Sequence, residues 1–184
     1  DKPSGKISGF SSYGYLIKPY DYNIPRFINF LQENGIRLKS SSKKFKIKNS
    51  YYDYGTLLIP VVGQSKKPEK IFELLTEISE KTGIDVYSLS SGYEDNIGFG
   101  SNSFTTIKKP KIGLIVGNGI RSYDAGEIWH LFDTRYGIPI TKLDVKNLNR
   151  TNLTEYSHII LPSYSGSSIN TVSYTHLRAH ETIA

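Results

Sequence analysis

The sequence predicts an α/β protein, and three observations lead to this prediction. Short runs rich in apolar and aromatic residues recur along the 184-residue chain, as expected for strands. Between several of these runs, apolar residues repeat every three or four positions, which indicates amphipathic helices. From residue 109 the order is strand, helix, strand, helix, strand, which favours a parallel sheet with crossover connections. We therefore expect an α/β linker domain over residues 1–108 and a second domain over residues 109–171.

The first domain opens with a strand and a short helix. Residues 13–18 are aromatic and aliphatic, and Pro19 follows them, so we expect a strand that ends there. Pro25 suits a first helical turn, and Gly35 can supply a left-handed stop. The apolar residues of this helix have helical spacing: Phe27, Phe30 and Leu31. Further strands are expected over residues 36–38, 44–48 and 56–62.

The most regular helix is expected over residues 68–81. Glu69 lies in its first turn, Lys81 in its last, and Gly83 follows as a stop. Its apolar stripe, expected in the core, consists of Ile71, Leu74, Leu75 and Ile78. A strand over residues 85–88 comes next, and the Gly, Ser and Asn of residues 90–106 predict a surface loop of the type that often carries function.

The second domain alternates strands and helices. Residues 111–116 predict a strand that leads into a glycine-rich turn, and Ser122 is a suitable N-cap for the following helix. The core stripe expected on this helix, which ends near Gly137, is Ala125, Ile128, Leu131 and Phe132. A strand over 138–143, a short helix over 149–156 and a strand over 158–161 complete the pattern. This order predicts a parallel sheet wound with right-handed crossovers.

Composition narrows the classes of function. The chain has no Cys, which excludes disulfides, thiolate ligands and a cysteine nucleophile. Its net charge of +6 is concentrated in a cluster of basic residues: Arg37, Lys39, Lys43, Lys44, Lys46 and Lys48. Because lysines alternate with apolar residues over 44–48, we interpret this cluster as the wet face of a strand and expect no nucleic-acid partner. No apolar run is long enough for a membrane span.

A glycine-rich loop is the best candidate for ligand binding. Gly117 and Gly119 follow a predicted strand, and Ser122 opens a helix whose free N–H groups could meet an anion. Asp144 ends the next strand, where an acid that binds a ribose would lie. This pattern is an incomplete dinucleotide-binding motif, because Ser122 replaces its third glycine. A tight strand-to-helix turn would also require these glycines, so the structural explanation remains open beside nucleotide or phosphate binding.

Three other patterns imitate functional sites. His130 and Asp133 could present an imidazole and a carboxylate, but without a third ligand a hydrogen bond on the helix surface is the simpler interpretation. Ser163 resembles a serine elbow, but it lacks the glycine two positions earlier and no catalytic His and acid can be assigned to it. Tyr123, Trp129 and the tyrosines of the first domain could form a surface for peptides or glycans.

The last residues have a separate origin in our interpretation. Residues 172–184 resemble the translation of a sequencing-library adapter, so we expect them not to be native and leave them out of the fold. In this segment His176 and His180 stand at i and i+4 with Glu181 beside them, which imitates a zinc-binding helix. The adapter interpretation implies that the natural chain continues differently after about residue 171.

Four runs stand out in the second domain: residues 110–117, 122–130, 140–144 and 159–163. They resemble the C-terminal, class I glutamine-amidotransferase-like domain of large zinc carboxypeptidases from Bacteroidetes-type bacteria, members of the carboxypeptidase A-like metallopeptidase family. The most specific is the Ala-Gly-Glu-Ile-Trp-His run from Ala125 to His130. Upstream similarity covers residues 13–15, 54–61, 98–101 and Gln64.

The resemblance implies that residues 109–171 are the opening half of a flavodoxin-like domain with an incomplete parallel sheet, and that this chain performs no catalysis itself. The peptidase reaction of this family needs zinc held by a His-x-x-Glu pair and a distant His, together with a further Glu and an Arg. No such set can be assembled in this chain, so we expect no catalytic and no metal-binding residue here. Zinc, catalysis and peptide substrates would then belong to an upstream catalytic domain of the same chain, in a secreted or periplasmic protein. Amidotransferase chemistry is not implied either, because it needs a Cys.

Overall fold

The computed structural model of the chain describes residues 4–94 and 97–164. It is a mixed α/β structure with antiparallel and parallel sheets, which confirms the general class predicted from the sequence. Backbone contacts divide the chain into two units, Asp1–Lys109 and Pro110–Ala184. No described helix has the length and apolar character that a membrane span requires.

The first unit is built on a five-stranded antiparallel sheet. Along the chain its described elements are β1 (Gly14–Ile17), α1 (Ile24–Glu33), β2 (Lys39–Ser41), β3 (Phe45–Ile47), β4 (Ser50–Tyr52), β5 (Leu57–Pro60), α2 (Pro68–Thr82), β6 (Tyr87–Ser88), β7 (Tyr93–Glu94), β8 (Ile97–Gly98) and β9 (Phe104–Thr106). The strand order in the sheet is β6-β1-β5-β2-β9. Strands β3 and β4 form a separate hairpin, and β7 pairs with β8.

The two faces of this sheet bury two different cores, because successive side chains of a strand point in opposite directions. On one face Tyr15 and Ile59 pack with apolar residues of α1 and α2, including Phe27 and Leu75. On the other face Leu16 and Leu58 pack with residues of the β3–β4 hairpin and of the segment 89–104. The central strands β1 and β5 are therefore covered on both sides.

The helices of this unit agree with the sequence analysis. Helix α2 buries the predicted stripe of Ile71, Leu74, Leu75 and Ile78, and Gly83 ends it with a φ of 77°. Helix α1 has Pro25 in its first turn and buries Phe27 and Leu31, whereas Phe30 is only half-buried. Gly35 has the expected positive φ. The apolar spacing alone was sufficient to predict both helices, because each has one buried and one exposed face.

Two predictions for the first unit were wrong. Residues 36–38 are not a strand; the strand β2 begins only at Lys39, although Ile36 and Leu38 are buried. Residues 90–106 are not only a loop, because β7, β8 and the sheet strand β9 lie within them. Strand β9 pairs with β2, with Phe104 opposite Ser41. Its three residues are too few for a recognisable alternation, and Gly, Ser and Asn residues precede them.

The second unit contains a three-stranded parallel sheet, as predicted. Its elements are β10 (Ile112–Val116), α3 (Ser122–Trp129), a π-helix (His130–Tyr136), β11 (Ile140–Asp144), two 3₁₀ helices (Val145–Arg150 and Leu153–Glu155) and β12 (His158–Ile160). The strand order is β11-β10-β12, and β10 pairs in parallel with both neighbours. Gly137 ends the helical region with a φ of 66°, as expected.

Three details of the second unit differ from the predictions. Ser122 is not the N-cap of α3: Arg121 occupies that position without a side-chain cap, and Ser122 is the first helical residue. Of the predicted stripe Ala125, Ile128, Leu131 and Phe132, only Ala125 is buried. The chain changes to π geometry at His130, and the wider turn moves later residues off the face that a 3.6-residue period predicts.

The predicted helix over residues 149–156 is replaced by the two 3₁₀ helices. Asp144 and Asn152 start them by accepting hydrogen bonds from the N–H groups of Lys146 and Thr154. Asn and Asp side chains favour such local hydrogen bonds with the backbone over a continuous α-helix, which explains the interruption.

We predict that Leu75→Ala lowers the free energy of unfolding of the first unit by about 2–5 kcal/mol, because Leu75 is fully buried between α2 and the sheet. Urea denaturation followed by far-UV circular dichroism measures this loss. The matched control on the same helix is Glu80→Ala, an exposed position, which should change the free energy by less than about 0.5 kcal/mol. Equal midpoints for the two variants would contradict the assignment of this helix face to the core.

Candidate functional site

The predicted ligand loop lies where two parallel strands end at the same edge of the sheet. Val116, the last residue of β10, is paired with Asp144, the last residue of β11. Gly117 follows with a φ of 109°, a conformation that side-chain-bearing residues rarely adopt. A Cβ atom on Gly117 would lie 2.8 Å from Oδ1 of Asp144. The structure thus brings Gly117 and Asp144 together, and it explains the glycine by the close approach of the carboxylate.

The carboxylate of Asp144 already has a structural role. Its Oδ1 accepts a hydrogen bond of 2.9 Å from the backbone N–H of Lys146 and so caps the first 3₁₀ helix. Gly119, with a φ of 86°, allows the chain to turn again before α3. The N–H of Ile120 donates to the carbonyl of Gly117 at 3.1 Å and closes this turn. The loop is therefore held together by its own hydrogen bonds.

The segment after β12 packs against the same loop. The backbone N–H of Arg121 donates to the carbonyl oxygen of Ser163 at 2.8 Å, and Ile120 forms an isolated antiparallel bridge with Tyr164. Ser163 is exposed, and its carbonyl contributes to this contact. Its role in the structure is thus to connect the strand end to the glycine loop.

Ser122 lines a groove that does not include the other three predicted residues. With Glu127, His130 and Arg135 it lines an open groove of about 550 Å³ along α3 and the π-helix. Gly117, Gly119 and Asp144 are not among the residues that line this groove. Of the four residues of the predicted ligand loop, Ser122 is thus the one that lines this groove.

The aromatic residues of α3 differ in accessibility. Tyr123 is 86% exposed, whereas Trp129 is half-buried and lies under the ammonium group of Lys142, whose Nζ is 4.3 Å from the ring centroid. This cation–π contact joins α3 to strand β11. Trp129 thus packs against the sheet, and Tyr123 is the aromatic residue of this helix that a ligand could reach.

No metal site forms in the described part of the chain. Within residues 4–94 and 97–164 no three His, Asp or Glu side chains are grouped as metal ligands. His130 and Asp133 are both exposed, and the structure records no hydrogen bond between their side chains. These residues do not fit the three-ligand zinc set that the resemblance implies for catalysis. His176, His180 and Glu181 lie outside the described residues.

The basic cluster of the sequence is divided between two grooves. Lys43, Lys44, Lys46 and Lys48 line one of about 610 Å³ at the β3–β4 hairpin. The predicted alternation is present there, because Lys46 is exposed and Ile47 is buried. Lys44 forms a salt bridge of 3.2 Å with Asp53. The N–H of Tyr54, the hydroxyl of Tyr20 and Lys44 together hold the pKa of the Asp53 carboxyl below its usual value.

Arg37 and Lys39 line the second groove, which the sequence analysis did not identify. We name this groove of about 380 Å³ the Arg37 groove; Tyr13, Leu58, Val62 and Phe99 line it as well. The sequence does contain a pattern that indicates this groove: apolar and basic residues alternate over residues 36–39, so the basic side chains share one face. Ile36 and Leu38 join the core on the helix side of the sheet, which places Arg37 and Lys39 on the opposite face.

We predict that Gly117→Ala lowers the free energy of unfolding of the second unit by about 1–3 kcal/mol, because alanine is strained at this φ and its Cβ meets Asp144. Denaturation followed by the fluorescence of Trp129, the single tryptophan, reports on this unit. Gly126→Ala is the matched control: it lies inside α3 with no atom near its Cβ, so it should stabilise by about 0.5–1 kcal/mol. An unchanged free energy of unfolding in Gly117→Ala would contradict the tight turn at this position.

The chain was also compared with known proteins. No protein-family model, no curated protein and no solved structure matches it.

Proposed function

We propose that the chain is a non-catalytic accessory region of a zinc metallocarboxypeptidase, a protein that removes C-terminal residues from peptides. In this proposal catalysis and zinc belong to an upstream domain of the same polypeptide. The accessory region would pack against that domain or help to deliver peptides to it. A secreted or periplasmic location is part of the same proposal.

One observation carries the proposal: the runs that bear the resemblance coincide with the elements of the parallel-sheet unit. Residues 110–117 contain β10 and its glycine turn, and residues 122–130 contain α3. Residues 140–144 are strand β11, and residues 159–163 contain the end of β12. Each of these runs overlaps an element of the unit, and the run 140–144 has the same bounds as β11. This agreement supports a flavodoxin-like, amidotransferase-like identity for the second unit.

The chemistry of the side chains supports an accessory role. The described part of the chain contains two histidines, and both are exposed. His130 lies in the π-helix that follows α3, and His158 lies on β12. The sequence contains no Cys. A water-activating zinc site needs three ligands and a nearby general base on converging elements. The described residues offer no such arrangement, so the proposal assigns the peptidase reaction to another part of the protein.

The alternative function, a nucleotide-binding or small-molecule module of flavodoxin-like fold, has weaker support. Asp144 lies against the turn at Gly117, and Asp124 lies in the first turn of α3. Two carboxylates near the same strand-to-helix connection oppose the approach of a phosphate group. The glycines are explained by the turn itself, as described above. No observation of the second unit therefore favours this alternative.

We predict that the 184-residue chain, supplied with zinc, releases no C-terminal residue from peptide substrates, because residues 4–94 and 97–164 present no set of ligands that could activate water. Mass spectrometry of the peptides after incubation measures the release. A zinc carboxypeptidase of known activity in parallel reactions shows that the conditions allow turnover. Release that disappears when His130 or His158 is replaced by Ala would contradict the accessory role.

We also predict that the natural reading frame of this chain encodes a His-x-x-Glu pair and a further His upstream of Asp1. Sequencing of the genomic region around the gene is the measurement. The same experiment shows whether residues 172–184 are encoded there. A complete reading frame without these zinc ligands would contradict the metallopeptidase proposal, whatever the activity of the isolated chain.

A further inference from the structure

The Arg37 groove combines two cations with an apolar floor on one face of the antiparallel sheet. Lys39 is paired in register with Leu58 on the neighbouring strand, so their side chains lie side by side on this face. Leu58, Leu89 and Phe99 belong to the core beneath the groove, and Val62 forms an exposed rim. Ligand sites typically combine such apolar surface with a few converging polar groups.

The position of Arg37 is fixed by the loop that follows β5. The Gln64 side chain accepts a hydrogen bond from the Arg37 N–H at 3.0 Å and donates to the Arg37 carbonyl at 2.8 Å. It also donates to the carbonyl of Pro60 at 2.8 Å. Gly63 has a φ of 76°, and a Cβ atom there would lie 3.3 Å from Nη2 of Arg37. The guanidinium group thus rests against a backbone that lacks a side chain.

The two cations of the groove have no carboxylate partner in the described part of the chain. The salt bridges recorded there are formed by Lys44, Lys70, Lys81, Lys109 and Lys111. Arg37 and Lys39, which line the groove, therefore bring two positive charges to it. A guanidinium group forms two-point hydrogen-bonded pairs with carboxylates and with phosphates. The apolar floor beside the two cations favours a carboxylate that carries an apolar side chain.

The edge of the sheet favours an extended peptide as the carrier of that carboxylate. Thr106 lines the groove and belongs to β9, the last strand of the five-stranded sheet. In the described part of the chain β9 pairs only with β2, so its other side can accept a further strand. A volume of about 380 Å³ is sufficient for one or two residues but not for a folded partner.

We propose that the Arg37 groove binds the C-terminal residue of a peptide: the carboxylate lies between Arg37 and Lys39, and an apolar side chain lies on Leu58, Val62 and Phe99. The proposal depends on the residues of this groove and not on the peptidase resemblance. It can be tested, and can fail, whether or not the proposed function is correct.

Isothermal titration calorimetry of the 184-residue chain tests it with three ligands. The first is a pentapeptide of four Ala residues and a C-terminal Phe with a free carboxylate, the second is the same peptide with a C-terminal amide, and the third is 3-phenylpropanoate. We expect the amide to bind more weakly than the acid by on the order of tenfold or more, because the pairing of the charges is lost. We also expect the free phenylpropanoate to bind more weakly than the peptide acid, because it has no backbone for the sheet edge.

Variants locate the site. Arg37→Gln and Lys39→Gln should each weaken the peptide acid by on the order of tenfold and leave the amide unchanged. Val62→Asp should weaken the acid similarly, because it places a negative charge at the apolar rim. Lys46→Gln is the matched control: it removes the same charge from an exposed position of the same unit, outside this groove, and should have no effect. Circular dichroism melting of each variant shows that the fold is intact.

Three outcomes would overturn the proposal. Equal affinity for the acid and the amide, or no binding of the acid at millimolar concentration, would exclude a carboxylate site. Equal losses in Lys46→Gln and Arg37→Gln would show attraction to net charge and not a built groove. Phenylpropanoate that binds as tightly as the peptide would remove the peptide as the ligand and leave a site for free organic acids.

Discussion

The pairing of β1 with β5 is the constraint on which the first unit depends. The register joins Gly14 to Pro60 and Ile17 to Leu57, and the side chains of both strands enter two different cores. Burial of apolar surface on both faces is the main force that holds these strands together. Helices α1 and α2 cover one face, and the aromatic residues of the β3–β4 hairpin and of the 89–104 segment cover the other. The Arg37 groove lies on this second face, at the border of the residues that cover it.

The same constraint explains why the charged residues of the first unit fall into two groups. Leu38 is the last residue of this segment in the core on the helix side, and β2 follows it. Arg37 and Lys39 therefore face the other side of the sheet, which the β3–β4 hairpin and the 89–104 segment cover. Lys44 and Lys46 belong instead to the hairpin, where Lys44 pairs with Asp53 and Lys46 lies over the ring of Tyr51. One basic run of the sequence thus becomes two surfaces with different neighbours. The first of them combines two cations that form no recorded salt bridge with a floor of Leu58 and Phe99.

Predictions from the sequence were correct where apolar residues kept one regular spacing along an element. They were wrong where the backbone geometry changed within the element. The stripe of α2 and the parallel order of β10, β11 and β12 followed from spacing, because each element has one clear buried side. The second half of the stripe of α3, Leu131 and Phe132, was misjudged because the turn widens to π geometry at His130, which no spacing rule anticipates. Strand β9 was missed because its three residues form a strand through their pairing with β2, which is distant in the sequence.

The candidate site was predictable only in part, for a similar reason. The strand ends placed Gly117 and Asp144 together as expected, but the distance between them gives the pair a structural role that the sequence could not reveal. Arg37 and Lys39 were recognised as basic residues, yet their groove depends on Gln64, Gly63 and Phe99, which come from distant parts of the chain. Contacts between distant segments are the part of a site that spacing cannot supply.

The most direct test of this account is amide hydrogen exchange resolved along the chain under native conditions. If β1 and β5 are the buried centre of the first unit, the N–H groups within Gly14–Ile17 and Leu57–Ile59 should exchange most slowly there. They should be slower than those of the β3–β4 hairpin by on the order of a hundredfold, because each hairpin strand is paired on one side only and Lys46, Ser50 and Tyr51 are exposed. Exchange in β1 and β5 that is as fast as in the hairpin would contradict the two-core sheet.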